Sequence, residues 1–199
     1  MTKNKFNPDI HHRRSIRLND YDYSQAGAYF VTVCNQGRES LLGEVMDGEM
    51  ILNDAGRMAE QWWLELNNKF PDIETDTFMV MPNHLHGIIM IVGAGLKPTQ
   101  NDTVGAALCG RPGSKEGQTL RVAPTLGTIM DWYKTMTTNE YIRHVKQDNW
   151  LPFPGKLWQR NYHERVIRNE EELNRINEYI MCNPALWAED EDNPVNIKE

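Results

Sequence analysis

The stretch MPNHLHGIIMI, residues 81–91, contains two histidines two positions apart inside an otherwise apolar run. Side chains of a β-strand alternate between its two faces, so a strand here places His84 and His86 on one face and Leu85 on the other. Burying two imidazoles side by side costs free energy unless a partner compensates it. Because neutral imidazole is a common metal ligand, the pattern indicates a metal site, or else one histidine bound to a loop and one facing solvent. A metal site needs a third ligand from elsewhere in the chain, and the candidates are Asn183, His163, Glu164 and the Asp residues.

The rest of the chain alternates strand-like and helix-like segments around this stretch. Strands are predicted at 28–34, 75–92 and 156–167, and helices at 54–69, 125–146 and 169–182. Asp47-Gly48 predicts a hairpin turn between two further short strands, and Pro82 predicts a bulge or an edge. Consecutive hairpin strands exclude a purely parallel sheet. We therefore expect an α+β fold, a ferredoxin-like sandwich with a mixed, mainly antiparallel central sheet covered by helices.

Length and composition predict one globular domain with appendages. The expected parts are a flexible basic N-terminal arm at 1–20, a domain at 21–187 with a flexible Gly/Pro-rich insertion at 93–124, and an acidic disordered tail at 188–199. No apolar run is long enough to span a membrane, and the N-terminus lacks the apolar core of a signal peptide. The three cysteines form no CxxC pair, so a cytoplasmic location without membrane association is expected.

The net charge of −7 is unevenly distributed along the chain. Residues 41–83 and 169–199 each carry 2 basic and 9 acidic side chains, so each segment has a charge of −7. The remainder of the chain is therefore mildly basic. A local basic face that binds nucleic acid remains compatible with this distribution, although the overall charge gives it little support.

The predicted last helix carries a second polar feature. Tyr179 lies beside the apolar stripe of this helix, and Asn183 follows four residues later on the same helical face. Taken singly, the tyrosine is typical of a core boundary, and the asparagine before Pro184 is typical of a helix end. Asn169 and Glu172 predict a capping box at the start of the helix.

Taken together, His84-Leu85-His86 and the later Tyr179-Ile-Met-Cys-Asn183 resemble the paired motifs of the HUH single-tyrosine transposases, most closely the REP-associated tyrosine transposases. The resemblance covers roughly residues 13–187 and leaves 93–124 as an insertion. It implies a metal-dependent endonuclease and strand transferase that acts on single-stranded or hairpin repeat DNA in transposition and recombination. The intermediate it implies is a 5′-phosphotyrosine.

The resemblance also implies roles for individual residues. Tyr179 is the expected nucleophile, and His84, His86 and Asn183 are the expected ligands of Mg²⁺ or Mn²⁺. Members of the family work as homodimers or monomers, and the sequence leaves both open. Tyr162 is the most serious rival nucleophile, because it precedes His163 and Glu164 on the predicted strand. Two further tyrosines are rivals as well, Tyr133 and Tyr141.

Basic and aromatic side chains are candidates for DNA contacts. The candidates are Arg13, Arg14 and Arg17 in the arm, and Lys134, Arg143, Lys146, Lys156, Arg160, Trp158 and Tyr162 in the domain. Each of the charged residues is equally compatible with an ordinary solvated surface, and Trp158 favours core packing. Two other functions remain open: a catalytically silent DNA-hairpin binding protein on the same fold, and a metal-dependent hydrolase that forms no covalent intermediate.

Overall fold

A computed structural model of the 199-residue chain gives the architecture. It describes residues 25–92, 124–190 and 192–196. The predicted N-terminal arm with its three arginines lies outside the described residues. The predicted insertion also lies outside them, except for Pro124. The expectations for both segments therefore stay predictions.

The described chain consists of strands, α-helices and short 3-10 helices. The strands are β1 (Gly27–Cys34), β2 (Gly43–Met46), β3 (Glu49–Leu52), β4 (Ile73–Val80), β5 (His84–Ile91) and β6 (His163–Ile167). The α-helices are α1 (Asp54–Leu64), α2 (Leu66–Lys69), α3 (Leu126–Gln147) and α4 (Glu170–Cys182). The 3-10 helices are Gln36–Arg38, Asn183–Glu189 and Pro194–Asn196.

The main sheet has the strand order β4-β5-β1-β6, and each neighbouring pair is antiparallel. With α1 between β1 and β4 and α3 between β5 and β6, the order of elements is that of a ferredoxin-like fold. This confirms the α+β prediction. The sheet differs from the expected mixed one, because all its described pairs are antiparallel. The strands β2 and β3 form a separate hairpin around the predicted Asp47-Gly48 turn, where both residues have positive φ.

The two faces of β5 pack into two different cores, as period-two alternation predicts. Leu85 and Ile89 belong to the larger core, which includes Trp63 of α1 and side chains of α3. Ile88 belongs to a smaller core with Ile176 and Ile180 of α4. Helix α4 therefore covers the sheet face that also carries the two histidines. No helix in the described ranges is long and apolar enough to cross a membrane.

Two strand predictions need correction. The segment 75–92 contains a turn between β4 and β5 rather than one long strand region. Pro82 lies in this turn, where its missing N–H breaks no ladder bond and its carbonyl accepts the N–H of Leu42 at 2.9 Å. The segment 156–167 forms a strand only in its last five residues. Upstream, the carbonyls of residues 159–161 bind the Lys134 ammonium instead of a neighbouring strand.

The helix ends agree only partly with the predictions. Helix α4 begins as expected, because the Asn169 side chain accepts the Glu172 N–H at 2.8 Å. Helix α4 ends at Cys182, as expected before Pro184, and the proline lies at the start of a 3-10 helix, where its missing N–H costs no hydrogen bond. The predicted helix 54–69 is divided into α1 and α2 at Glu65.

The expected disorder of the acidic tail stays a prediction, but several of its described residues make specific hydrogen bonds. Asn193 is buried, donates to the carbonyl of Trp187 at 2.8 Å, and accepts the N–H of Val195 at 3.1 Å. These side chain-to-backbone bonds hold a short acidic segment in place.

Candidate metal and tyrosine site

His84 and His86 lie at one end of the main sheet with their rings against each other. Their Nε2 atoms are 2.9 Å apart, and both side chains are buried. Two nitrogens bound at right angles to one metal ion at about 2.1 Å lie about 3.0 Å apart. The separation of the two imidazole nitrogens therefore fits two ligands of a single divalent ion.

Each histidine has a partner that holds its other ring nitrogen. His84 Nδ1 lies 2.8 Å from the carbonyl oxygen of the Asn83 side chain. Because this oxygen can only accept a hydrogen bond, Nδ1 carries the proton and Nε2 keeps its lone pair. His86 Nδ1 lies 2.8 Å from the hydroxyl of Thr32, the residue directly opposite on β1. Such second partners orient metal-binding histidines. Sequence reasoning did not find Thr32, because only the strand register brings it to His86.

Burial sets the charge state of the pair. It lowers the pKa of His84 to about 3, with a smaller contribution from the Arg38 guanidinium. Burial also lowers the pKa of His86 well below its usual value, and a charge on His84 would lower it further. Both imidazoles are therefore neutral at pH 7, which is the form that binds metal.

Tyr179 extends from α4 to the histidines, and Asn183 follows at the end of the same helix. The Tyr179 hydroxyl lies 3.4 Å from His86 Nε2, although the two residues are 93 positions apart in sequence. The Tyr179 side chain is 43% exposed, so an external substrate can reach it. Asn183 is buried, and its carbonyl oxygen has no hydrogen-bond partner in the described structure. A buried oxygen without a partner is costly, and a metal ion would satisfy it.

An aspartate that the sequence did not single out among its acidic residues joins this group. Asp190 places an oxygen near both histidines, so that the three candidate ligand atoms lie within 4.8 Å of one another. The thiol of Cys34 also lies nearby, but burial and then the charge of Asp192 raise its pKa to about 12. It therefore offers no thiolate at neutral pH. No signal in the sequence singles out Asp190, because it lies in the acidic run that predicts disorder.

The rival tyrosines lie away from the histidine face. Tyr133, Tyr141 and Tyr162 all belong to the larger core on the opposite side of the sheet. The hydroxyl of Tyr133 donates to the carbonyl of Ala59, and that of Tyr141 donates to the carbonyl of Leu151. Of these four tyrosines, Tyr179 is thus the one that the fold brings to the histidine pair.

Several of the basic residues predicted to contact DNA lie together elsewhere. Lys134, Lys156 and Arg160 line a cavity of about 570 Å³ between α3 and the loop that precedes β6. The Lys134 ammonium donates to three loop carbonyls and lies 5.3 Å from the centre of the Tyr162 ring. Lys134 therefore holds the loop. The buried Trp158 donates to the hydroxyl of Thr137, which agrees with the core position favoured for it.

The fold and this site define a ferredoxin-like α+β protein with a two-histidine, one-aspartate cluster beside a tyrosine. No family model matches the chain. A protein of Haemophilus influenzae, described as uncharacterized, is 37% identical over 187 residues, which cover 94% of this chain and 96% of the relative. The chain belongs to the same family as that protein.

Among solved structures, a REP-associated tyrosine transposase bound to a REP hairpin matches 84% of this chain and 72% of its own. The TM-score is 0.49 and the sequence identity is 17%. The fold stated above is defined by the strand order of this chain, independently of that match.

Proposed function

We propose that the protein is a metal-dependent endonuclease and strand transferase that acts on single-stranded or hairpin DNA through Tyr179. One observation carries the proposal: the Tyr179 hydroxyl lies 3.4 Å from the Nε2 of His86, in a pair of neutral, buried imidazoles. A hydrolase would need only the metal ligands. A half-exposed tyrosine beside them supplies a nucleophile from the protein itself.

The side chains His84, His86 and Asn183 would hold a divalent ion, Mg²⁺ or Mn²⁺. Such an ion polarises a phosphodiester and offsets its negative charge. The protein contributes neutral nitrogen ligands and an amide oxygen that has no other hydrogen-bond partner. The fit of these residues to a divalent ion thus rests on their own geometry and protonation.

The proposed reaction replaces one phosphate ester by another. The Tyr179 oxygen attacks phosphorus, a bond from that oxygen to phosphorus forms, and the bond from phosphorus to the 3′-oxygen breaks. The tyrosine loses its hydroxyl proton and the leaving 3′-oxygen gains one, so the products are a 5′-phosphotyrosine and a free 3′-hydroxyl. Because one ester bond replaces another, a second DNA end can reverse the step without an energy source.

Helix α4 positions the nucleophile. Tyr179 packs edge-on against Phe30 with ring centroids 6.1 Å apart, and against the ring of His86 at 5.3 Å. These contacts hold the phenol at the histidine pair before substrate arrives, which lowers the entropic cost of the attack. An unperturbed tyrosine is ionised about once per thousand molecules at pH 7, so electrostatic stabilisation of the transition state is needed as well.

The test is a covalent-adduct assay. Purified protein, Mn²⁺ or Mg²⁺ and hairpin oligonucleotides from repeats that flank the gene, labelled at the 3′ end because that fragment stays joined to the tyrosine, are mixed and separated on a denaturing gel. We expect label to comigrate with the wild-type protein and to be absent with Tyr179→Phe and His84→Ala. Tyr162→Phe is the matched control, because it removes the same hydroxyl from the opposite side of the sheet, and it should retain the adduct.

The other outcomes distinguish the alternatives. An adduct that persists in Tyr179→Phe would assign the nucleophile to another tyrosine. Cleavage without any adduct would favour the metal-dependent hydrolase. Hairpin binding that is unchanged in Tyr179→Phe, with no cleavage by the wild-type protein, would favour a catalytically silent binding protein.

A further inference from the structure

The chain that follows α4 returns to the histidine pair. Its 3-10 helix, Asn183–Glu189, brings the Trp187 ring to within 5.9 Å of the His84 ring, centroid to centroid. Asp190, the residue that follows this 3-10 helix, has a carboxylate oxygen near both histidines. We propose that Asp190 is the charged ligand of the divalent ion at His84 and His86, supplied by a segment that lies beyond the tyrosine helix. This inference rests on the proposed function for the presence of an ion.

Charge balance supports a carboxylate in this set. Two neutral imidazoles and an amide leave both positive charges of a divalent ion uncompensated in a buried site, which is costly. One carboxylate removes half of that charge. Sites with oxygen ligands also suit Mg²⁺ and Mn²⁺, whereas imidazole suits the later transition metals. A set of two histidines and one aspartate should therefore bind Mn²⁺ more tightly than Mg²⁺.

Hydrogen bonds orient the Asp190 carboxylate. One oxygen accepts from the Asn183 side chain at 3.2 Å, and the other accepts from the backbone N–H of Asp192 at 2.6 Å. A carboxylate offers about four lone-pair positions, so these two bonds leave capacity for a metal. Asn183 thus orients Asp190 through its amide N–H, while its own buried carbonyl oxygen has no hydrogen-bond partner in the described structure.

Asp192, two residues after Asp190, holds the segment in place on its C-terminal side. The Asp192 carboxylate lies 3.1 Å from the Arg38 guanidinium, and the Asp192 carbonyl accepts the side-chain N–H of Asn83 at 2.6 Å. Asn83 is the same residue that holds His84. The anchor of the aspartate segment and the anchor of the first histidine are therefore one residue, which fixes the distance between the two ligands.

The inference is tested by Mn²⁺ binding in the absence of DNA. The full chain is titrated with Mn²⁺, and free Mn²⁺ is followed by electron paramagnetic resonance. Changes to residues that only contact a metal ligand typically cost 10- to 100-fold in metal affinity, so removing the charge of a direct ligand in Asp190→Asn should weaken Mn²⁺ binding by at least about tenfold. Glu189→Gln removes the same charge from the neighbouring exposed position and should bind like the wild type.

Folding is monitored separately. Melting temperatures in the presence of a chelator should agree between Asp190→Asn and the wild type, and Asp190→Ser provides a second variant if the first does not fold. Mn²⁺ should raise the melting temperature of the wild type and of Glu189→Gln more than that of either Asp190 variant. Equal Mn²⁺ affinity in a folded Asp190 variant and in the wild type would overturn the inference, as would a wild-type protein that binds neither Mn²⁺ nor Mg²⁺.

The same variants separate this inference from the proposed function. If Mn²⁺ binding depends on Asp190 but no DNA adduct forms, the ligand role of Asp190 stands and the proposed strand-transferase function is rejected. If the wild-type protein forms the adduct and Asp190→Asn binds Mn²⁺ as tightly as the wild type, the proposed function stands and the ligand role of Asp190 is rejected.

Discussion

At the scale of single residues, the site depends on partners that fix which nitrogen of each histidine faces inward. The hydroxyl of Thr32 lies 2.8 Å from His86 Nδ1, directly across the strand pair. When Nδ1 donates its hydrogen to this oxygen, the Nε2 lone pair is left free to bind a metal. We therefore expect Thr32 to act through His86 as a positioning residue.

Replacing Thr32 by valine tests this role, because the two side chains have nearly the same shape. Thr32→Val should weaken Mn²⁺ binding by about 10- to 100-fold, in the range of other second-sphere changes. Thr32→Ser retains the hydroxyl and should bind nearly as tightly as the wild type. Electron paramagnetic resonance titration without DNA measures both, and equal affinities of the valine and serine variants would assign Thr32 a packing role only.

At the scale of secondary-structure elements, helix α1 packs closely against β5 because Gly87 has no side chain and leaves room for Trp63. A Cβ atom at Gly87 would lie 2.3 Å from the ring of Trp63, which is itself fully buried. The glycine that follows the two histidines is therefore explained by close packing on the opposite face of the strand. It lets the helix approach the strand that holds both histidines.

Gly87→Ala should lower the free energy of unfolding by about 1–3 kcal/mol, the usual cost of overpacking. The smaller ring in Trp63→Phe should recover part of this loss when the two changes are combined. Gly27→Ala is the matched control, because its nearest neighbour would be at an ordinary 3.7 Å. Urea denaturation measures all variants, and equal stability of Gly87→Ala and Gly27→Ala would contradict the packing argument.

The sequence predicted correctly those strands, turns and helix ends that depend on local periodicity, turn residues and capping. The strand 28–34, the hairpin turn at Asp47-Gly48 and the start of α4 at Asn169 agree with the structure, because alternation, turn residues and caps are local signals. The strand at 156–167 was predicted too long, because the contacts of Lys134 with the loop are not local. The positions of Thr32 and Asp190 depend on strand register and on the path of the chain after α4, which no local pattern reports.

At the scale of the whole molecule, a net charge of −7 limits how DNA can be bound. Acidic side chains dominate two segments, so the proposed DNA binding requires phosphate contacts that are few and local. Lys156 and Arg160 line the same cavity beside α3, at the end of the sheet that carries the histidines. Its loop is joined to the end of β1, because the N–H of Gln159 donates to the carbonyl of Cys34 at 2.9 Å. We expect this cavity to hold part of the DNA backbone.

Neutralising Lys156 and Arg160 should weaken the binding of DNA hairpins by a similar factor whatever the hairpin sequence. For Lys156→Gln and for Arg160→Gln we expect the slope of log affinity against log salt concentration to fall by about one in magnitude each. Arg57→Gln is the control, since Arg57 is exposed on α1 and paired with Asp54. Fluorescence anisotropy across a salt series measures the slopes, and identical slopes for all three variants and the wild type would place the contacts elsewhere.

The return of the chain after α4 has a consequence for biosynthesis. The proposed ligands come from β5 near the middle of the chain and from Asp190, about 100 residues later. A ribosome-bound chain that has already folded its sheet still lacks the last ligand and the tyrosine helix. The proposed centre therefore becomes complete only after residue 190 has been translated, and a product truncated before Asp190 should lack the proposed ligand set.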